Sequence, residues 1–233
     1  MTRVAAAVSV NRYAAANAMR MCFATSIFLL CALASLAAHA AAGVVAHISG
    51  TLSVQRPDGA ILILGEKSEV QQGDLLTTQK DSYAQINFTD GSSATMRPYT
   101  QLRIEAYSFV QDKPQSDSSF MRLLKGGLRT VTGLIGKRGN QDAYRIGTAT
   151  ATIGIRGSMG DTRVDGPAVD HYTHLGTYTI TNGTGTQEIG QGFSGHVSGA
   201  NDPILLSQGH FDNQWNNRWP TSFTGALKGP CGK

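Results

Sequence analysis

From residue 43 onward, apolar and polar positions alternate with a period of two, and helical spacing is almost absent. In the run Ser82–Thr89, Ala84, Ile86 and Phe88 share one side while Gln85 and Asn87 take the other. Leu102, Ile104 and Ala106 repeat the pattern, with Arg103 and Glu105 outward. Such alternation predicts half-buried strands. Turn residues separate these runs: Pro57-Asp58-Gly59, Gln72-Gly73-Asp74, Thr89-Asp90-Gly91 and Asn182-Gly183. Asp-Gly and Asn-Gly favour tight hairpins because both residues accept positive φ. Short strands at short intervals predict an all-β fold. Residues 111–119 read as a surface loop, 161–171 as a second loop, and 177–190 as a hairpin. The stretch from Gly209 to Lys233 has no clear period and holds both tryptophans; it reads as a cap over the sheet end or a mobile tail.

The first 40 residues follow a different rule. Arg3, Arg12 and Arg20 precede an apolar run over 22–38, which ends on Ala38-His39-Ala40. A positive flank, a short apolar core and an A-x-A site predict a secretory signal helix, cleaved before residue 41. The alternative is an uncleaved anchor. Its core is interrupted by Thr25, Ser26 and Ser35 and falls short of the ~20 apolar residues that a span needs. Cys31 follows Leu29-Leu30 rather than a small residue, which argues against a lipid-attachment site. The formal charge of +4 loses three cations with this segment, leaving 17 cations against 16 acids. A nucleic-acid partner is therefore not expected. Cys22 and Cys31 leave as well, so Cys231 has no intrachain disulfide partner; it either links two chains or stays free. About 190 residues remain, enough for one domain with its own core.

Several candidate chemistries fail on spacing. Gly190-Gln191-Gly192-Phe193-Ser194-Gly195 fits G-x-G-x-x-G, but no helix can follow it and no βαβ unit surrounds it. Residues 133–138 mimic the end of a P-loop, with Arg138 where Ser or Thr is required. Ser158 and Ser194 sit beside glycines without a local base, so neither reads as a nucleophile. His171 and His174 lie on opposite faces of a strand and converge on zinc or copper only if the backbone turns; otherwise they are two solvated loop histidines. Asp58 and Asp90 read as turn-formers, and Asp161, Asp165 and Asp170 lack a calcium-loop pattern. No catalytic residue, metal or cofactor is expected.

Charge is uneven all the same. Between residues 120 and 160, seven cations (Arg122, Lys125, Arg129, Lys137, Arg138, Arg145 and Arg156) face one acid, Asp142. Stacked on neighbouring strands they would form a basic stripe for an acidic polymer; the plainer alternative is a solvated face whose acids come from elsewhere in the fold. Trp215 and Trp219, with Phe211 and Phe223, offer a partner hot spot, a sugar-stacking platform or a hydrophobic lid.

Read in order, the pieces resemble a FecR domain over roughly residues 43–160. They are Gly43-Val44-Val45, Gly50–Val54, Gly73-Asp74 with Leu75–Thr78, Ser82–Phe88, Asp90-Gly91-Ser92, Arg97–Ile104, Leu124–Arg129 and Thr148–Ser158. The last piece departs from the family pattern at Ala149, where Pro is usual, and at Ser158, where Thr is usual. The resemblance implies a short β-solenoid or sandwich-like stack of short strands. It points to an exported binding or signalling role without the cytoplasmic segment of a sigma regulator. Expected boundaries are a signal peptide over 1–40, a FecR-like domain over 41–160, a β-rich extension over 161–210 and an aromatic tail over 211–233. Gly73, Asp74, Asp90, Gly91, Gly154, Arg156 and Gly157 carry the family motif. Thr148–Ser158 reads as its closing strand, bent around Ile155, with Arg156 either a structural cation or the end of the stripe. The function expected is a non-enzymatic periplasmic or secreted module that contacts an envelope protein. The alternative is a module binding glycan or lipopolysaccharide through Arg129, Lys137, Arg138, Arg145, Arg156, Trp215 and Trp219.

Overall fold

A computed structural model describes residues 41–138, 140, 142–215, 220 and 223, with the backbone alone at Ser158. The signal segment, Trp219 and Cys231 lie outside the described residues. The chain order is β1 (Ala41–Ser49), β2 (Leu52–Gln55), β3 (Ile61–Leu64), β4 (Glu69–Gln71), β5 (Leu75–Thr78), β6 (Tyr83–Phe88), β7 (Ser93–Met96) and β8 (Gln101–Ser108). A 3-10 turn at Pro114–Ser116 follows, then β9 (Ser118–Val131), β10 (Tyr144–Gly147), β11 (Thr152–Asp165) and β12 (Ala168–Asn182). The last strands are β13 (Gly185–Ile189), β14 (Phe193–Val197) and β15 (Leu205–Gln208). No α-helix occurs among the described residues, and none of them forms a helix long and apolar enough to cross a membrane. The all-β expectation holds.

The stacked-coil expectation does not. In a solenoid each repeat touches only its neighbours, whereas here all 15 strands join one sheet. Its pivot is the 14-residue β9. Beside Ser119–Arg122, β9 pairs with β8 and, in parallel, with β10; beside Leu128–Val131 it pairs with β7 and β11. β10 also pairs with β11 and fills the fork where β9 and β11 diverge, and the sheet holds a closed five-stranded barrel with further strands added. Long, coiled strands that serve two partners in turn achieve this closure without repeats.

Alternation fills the interior as the sequence implies. Ala84, Ile86, Phe88, Leu102 and Ile104 are buried in one cluster with Leu52, Leu76, Met121, Leu128, Tyr144, Ile153 and Tyr178. Each fully buried large side chain contributes about 1.5–3 kcal/mol. Of the four turn signals, three close hairpins: β2–β3, β6–β7 and β12–β13. The fourth, at Gly73-Asp74, joins β4 to β5, and these pair with different strands.

Two further readings are corrected. Residues 161–171 are not a loop; they are the ends of β11 and β12, joined by a turn at Gly166-Pro167, and Asp161 pairs across to Tyr172. Thr148–Ser158 is not a closing strand: its Thr152–Ser158 portion begins the 14-residue β11, which runs unbroken past position 160. Gly157 (φ 62°) sits where the register against β12 shifts between Arg156 and Met159, so its left-handed backbone makes a bulge rather than an end.

Candidate functional site

The two motif carboxylates turn inward, while Gly91 and Arg156 are exposed. Asp74 is buried, and its Oδ2 accepts from the Gln71 N–H at 2.8 Å and from Arg56 Nη1. Its neighbour Gly73 donates its N–H to the Ile104 carbonyl at 2.7 Å, tying the turn to β8. Asp90 is more than a turn-former. Its Oδ1 accepts from the Ser92 N–H at 3.1 Å, Ser92 Oγ at 2.6 Å and Tyr107 Oη at 3.2 Å, and its Oδ2 accepts from the Ile135 N–H at 3.2 Å. Gly91 is at the tip of the same hairpin. Gly154 faces Thr179, whose hydroxyl lies where a side chain would begin. These are framework positions.

A second buried carboxylate gathers charged partners. Register sets Asp161 on β11 directly opposite Arg129 on β9, so both side chains emerge on one face. Arg129 donates from Nε to Oδ1 at 2.6 Å and from Nη2 to Oδ2 at 2.7 Å. His174 Nε2 lies 2.6 Å from Oδ2, and His210 Nε2 lies 3.1 Å from it. Burial alone would raise the Asp161 carboxyl, but hydrogen bonds from Arg129, His174 and His210 outweigh it and hold it well below the usual carboxylate range. His171 points the other way, into the core, where it contacts the Tyr178 ring and the Thr162 hydroxyl. Burial pushes its imidazole down to about 3, so it is neutral at pH 7. The opposite-face reading of the two histidines is right; the solvated-loop reading is not, because both are buried or nearly so on β12.

Asp161, His174 and His210 bring three potential ligand atoms within 4.8 Å of one another. The chemistry nevertheless fits a hydrogen-bonded clasp. His210 Nδ1 accepts the Asp212 N–H at 2.9 Å, so the ring proton sits on Nε2 and is donated to Asp161. A metal would need that nitrogen's lone pair. Arg129 also occupies both carboxylate oxygens and lies 3.0 Å from His174 Nε2. The clasp fastens the C-terminal segment to the barrel, and neighbouring contacts reinforce it. Arg97 stacks over Trp215 at 4.1 Å and donates to the Trp215 carbonyl at 3.0 Å. Arg163 covers the Phe211 ring at 4.9 Å while pairing with Asp170 at 2.7 Å. No spacing rule signals this clasp, since Arg129 and His210 lie 81 positions apart in the sequence.

The predicted stripe is divided. Arg129 is internal, and Arg138 is held by Asp117 at 2.9 Å and by the carbonyls of Val110 and Gln111, pinning the 110–117 loop. Arg122 pairs with Glu105. Lys125, Lys137, Arg145 and Arg156 remain exposed. For three of the seven cations the acids thus come from elsewhere in the chain. Trp215 is 3% exposed, packed as a lid rather than displayed.

Beside the clasp lies a cavity of about 630 Å³, bounded by the β7–β8 turn, the Gly126-Gly127 bend, the β11–β12 turn and the C-terminal segment. A second surface feature is β3. Among the described strands it pairs only with β2, and Ile61, Leu62 and Ile63 are 70%, 49% and 69% exposed.

Residues 74–171 match the family described as FecR protein. Two crystal structures of a candidate anti-sigma factor from Parabacteroides distasonis ATCC 8503, at 2.50 and 1.65 Å, are similar to this chain. Each has a TM-score of 0.48 at 14% identity and is matched over 61% of this chain and 62% of that one. The chain therefore spans less than two thirds of the length of the structures it matches. No curated protein matches it.

Proposed function

For a chain that carries a FecR domain over residues 74–171, we propose an exported, non-enzymatic binding module of the bacterial cell envelope that signals through protein contact. The observation that carries this reading is the β3 edge. Three consecutive large apolar side chains in water are unfavourable, and the strand also offers a row of backbone donors and acceptors on its free side. A partner strand added there would cover both at once, with backbone bonds giving affinity and the isoleucines giving specificity. The flanking turns, Pro57-Asp58-Gly59 and Gly65-Glu66-Lys67, are polar and confine the apolar patch to the strand. An acidic glycan or lipopolysaccharide is the weaker alternative, because three of the seven stripe cations, Arg122, Arg129 and Arg138, are already paired with carboxylates of this chain.

Two measurements test the proposal. An alkaline phosphatase fused after residue 215 of the full chain should be active, as the enzyme folds only after export; an inactive fusion removes the envelope half. A photo-crosslinking residue at Ile61 or Ile63 should capture one discrete partner in cells, and Leu62→Lys should abolish capture while leaving Tm unchanged. No adduct, or an adduct only with a second copy of the chain, overturns the docking half.

A further inference from the structure

Tyr99 occupies the turn between β7 and β8 with φ 59°, a left-handed conformation that glycine or asparagine adopts more easily. It is also 55% exposed, so burial does not explain the residue. The turn is nonetheless held firmly. Thr78 Oγ1 donates to the Arg97 carbonyl at 2.5 Å, and the Thr100 N–H donates back to Thr78 Oγ1 at 3.0 Å. Thr100 Oγ1 also contacts Gly127, reaching its carbonyl at 3.0 Å and its N–H at 2.9 Å. Strain at an exposed aromatic, over-determined by buried hydrogen bonds, is a signature of a functional position. Asp81 has the same backbone signature (φ 53°), and both residues line the 630 Å³ cavity.

The lining defines what could enter. Arg97, Lys125 and Arg163 supply three cations, while Asp81, Asp165 and Asp212 supply three carboxylates. The formal charges cancel, so the cavity selects neither an anion nor a cation by field. The lining instead offers both donors and acceptors, together with the aromatic side chains of Tyr83, Tyr99 and Trp215. Trp215 forms a closed wall, since its ring lies where a side chain on Gly127 would begin, which leaves Tyr99 as the accessible platform. Carboxylates accept from hydroxyls, ammonium and guanidinium groups donate to them, and an aromatic face packs on a sugar's C–H surface. A volume of this size suits a small ligand rather than a folded partner.

We propose that this cavity binds a short neutral oligosaccharide, with Tyr99 as the stacking platform and Asp81, Asp165 and Lys125 as hydroxyl partners. The site is separate from the β3 edge, so it stands or falls without the docking proposal. Isothermal titration of the full chain with chitotriose and maltotriose tests it, with a heparin tetrasaccharide and dialanine as acidic and zwitterionic comparisons. At least one neutral sugar should bind, and the comparison ligands should not. Tyr99→Ala should weaken binding by about tenfold or more. Tyr99→Gly is the sharper variant: it suits the left-handed backbone, so Tm should hold or rise while affinity falls equally. Binding of neither sugar, binding of a comparison ligand in their place, or wild-type affinity in Tyr99→Gly overturns the proposal.

Discussion

Asp90 and Asp161 are both buried carboxylates that join separated strands, yet they are made of different materials. Asp90 draws on neutral donors: a backbone N–H and hydroxyl from Ser92, the Tyr107 phenol and the Ile135 N–H. Asp161 draws on a guanidinium and two imidazoles. The Ser92 donors to Asp90 lie two residues away, whereas those to Asp161 come from positions 32 residues before it and 13 and 49 residues after it. A neutral hub locks a turn. An ionic one clasps the β9–β11 seam and the segment after β15, and it carries a larger penalty when broken.

The first prediction sets the two hubs against each other. Asp161→Ala leaves the buried Arg129 guanidinium without its counter-charge, which costs about 3–5 kcal/mol. Asp90→Ala leaves neutral donors unsatisfied, a loss of about 1–3 kcal/mol. Urea denaturation of both variants at pH 7 measures the gap. Equal losses, or a smaller loss at Asp161, would show that the clasp is not the stronger hub. Limited proteolysis should also cut after residue 209 in Asp161→Ala before it does so in Asp90→Ala.

The second prediction separates Asp161 from the histidine behind it by pH. His171 has a folded pKa of about 3, below its unfolded value near 6.5. The unfolded chain therefore binds a proton that the folded chain refuses, and stability rises with pH across that window. The slope from this one group is about 1.4 kcal/mol per pH unit between pH 6.5 and 3. Asp161 also has a lowered folded pKa, so its contribution is complete above the unfolded carboxylate range and fades only as pH falls below it. His171→Gln should flatten the upper part of the acid limb and leave the lower part intact. A limb unchanged in His171→Gln would mean that this imidazole is not buried in its neutral form.

The same contrast shows what the sequence made legible. Around Asp90 the signals are local: alternation over 82–89, an Asp-Gly turn and a following Ser. Strand class, the β6–β7 hairpin and the family resemblance all came from such local signals. Around Asp161 the local signals mislead. Residues 161–171 hold four charged or ionisable side chains before His171, with Gly166 and Pro167 between, and so look like a solvated loop. They are strand because Asp161 and Asp170 are satisfied by Arg129, Arg163, His174, His196 and His210. Hydropathy counts these residues as exposed, since it cannot register a partner supplied by another strand. The basic run over 120–160 misleads for the mirror-image reason: its acids, Glu105, Asp117 and Asp161, lie outside the run.

The smallest expected effect tests the clasp most directly. A metal site at Asp161, His174 and His210 would raise stability by about 4 kcal/mol at a thousandfold excess of ion over Kd. The hydrogen-bonded assignment expects no gain, because the Nε2 lone pair of His210 is committed to a proton while its Nδ1 accepts the Asp212 N–H. Thermal melts with and without zinc should coincide within about 1 °C, where each kcal/mol would move Tm by about 2–4 °C. Imidazole nitrogen shifts add an independent reading, with His210 carrying its proton on Nε2. A zinc-dependent rise in Tm that disappears in His210→Gln would replace the clasp with a metal centre. A flat response leaves Arg129 as the cation around which this seam is built.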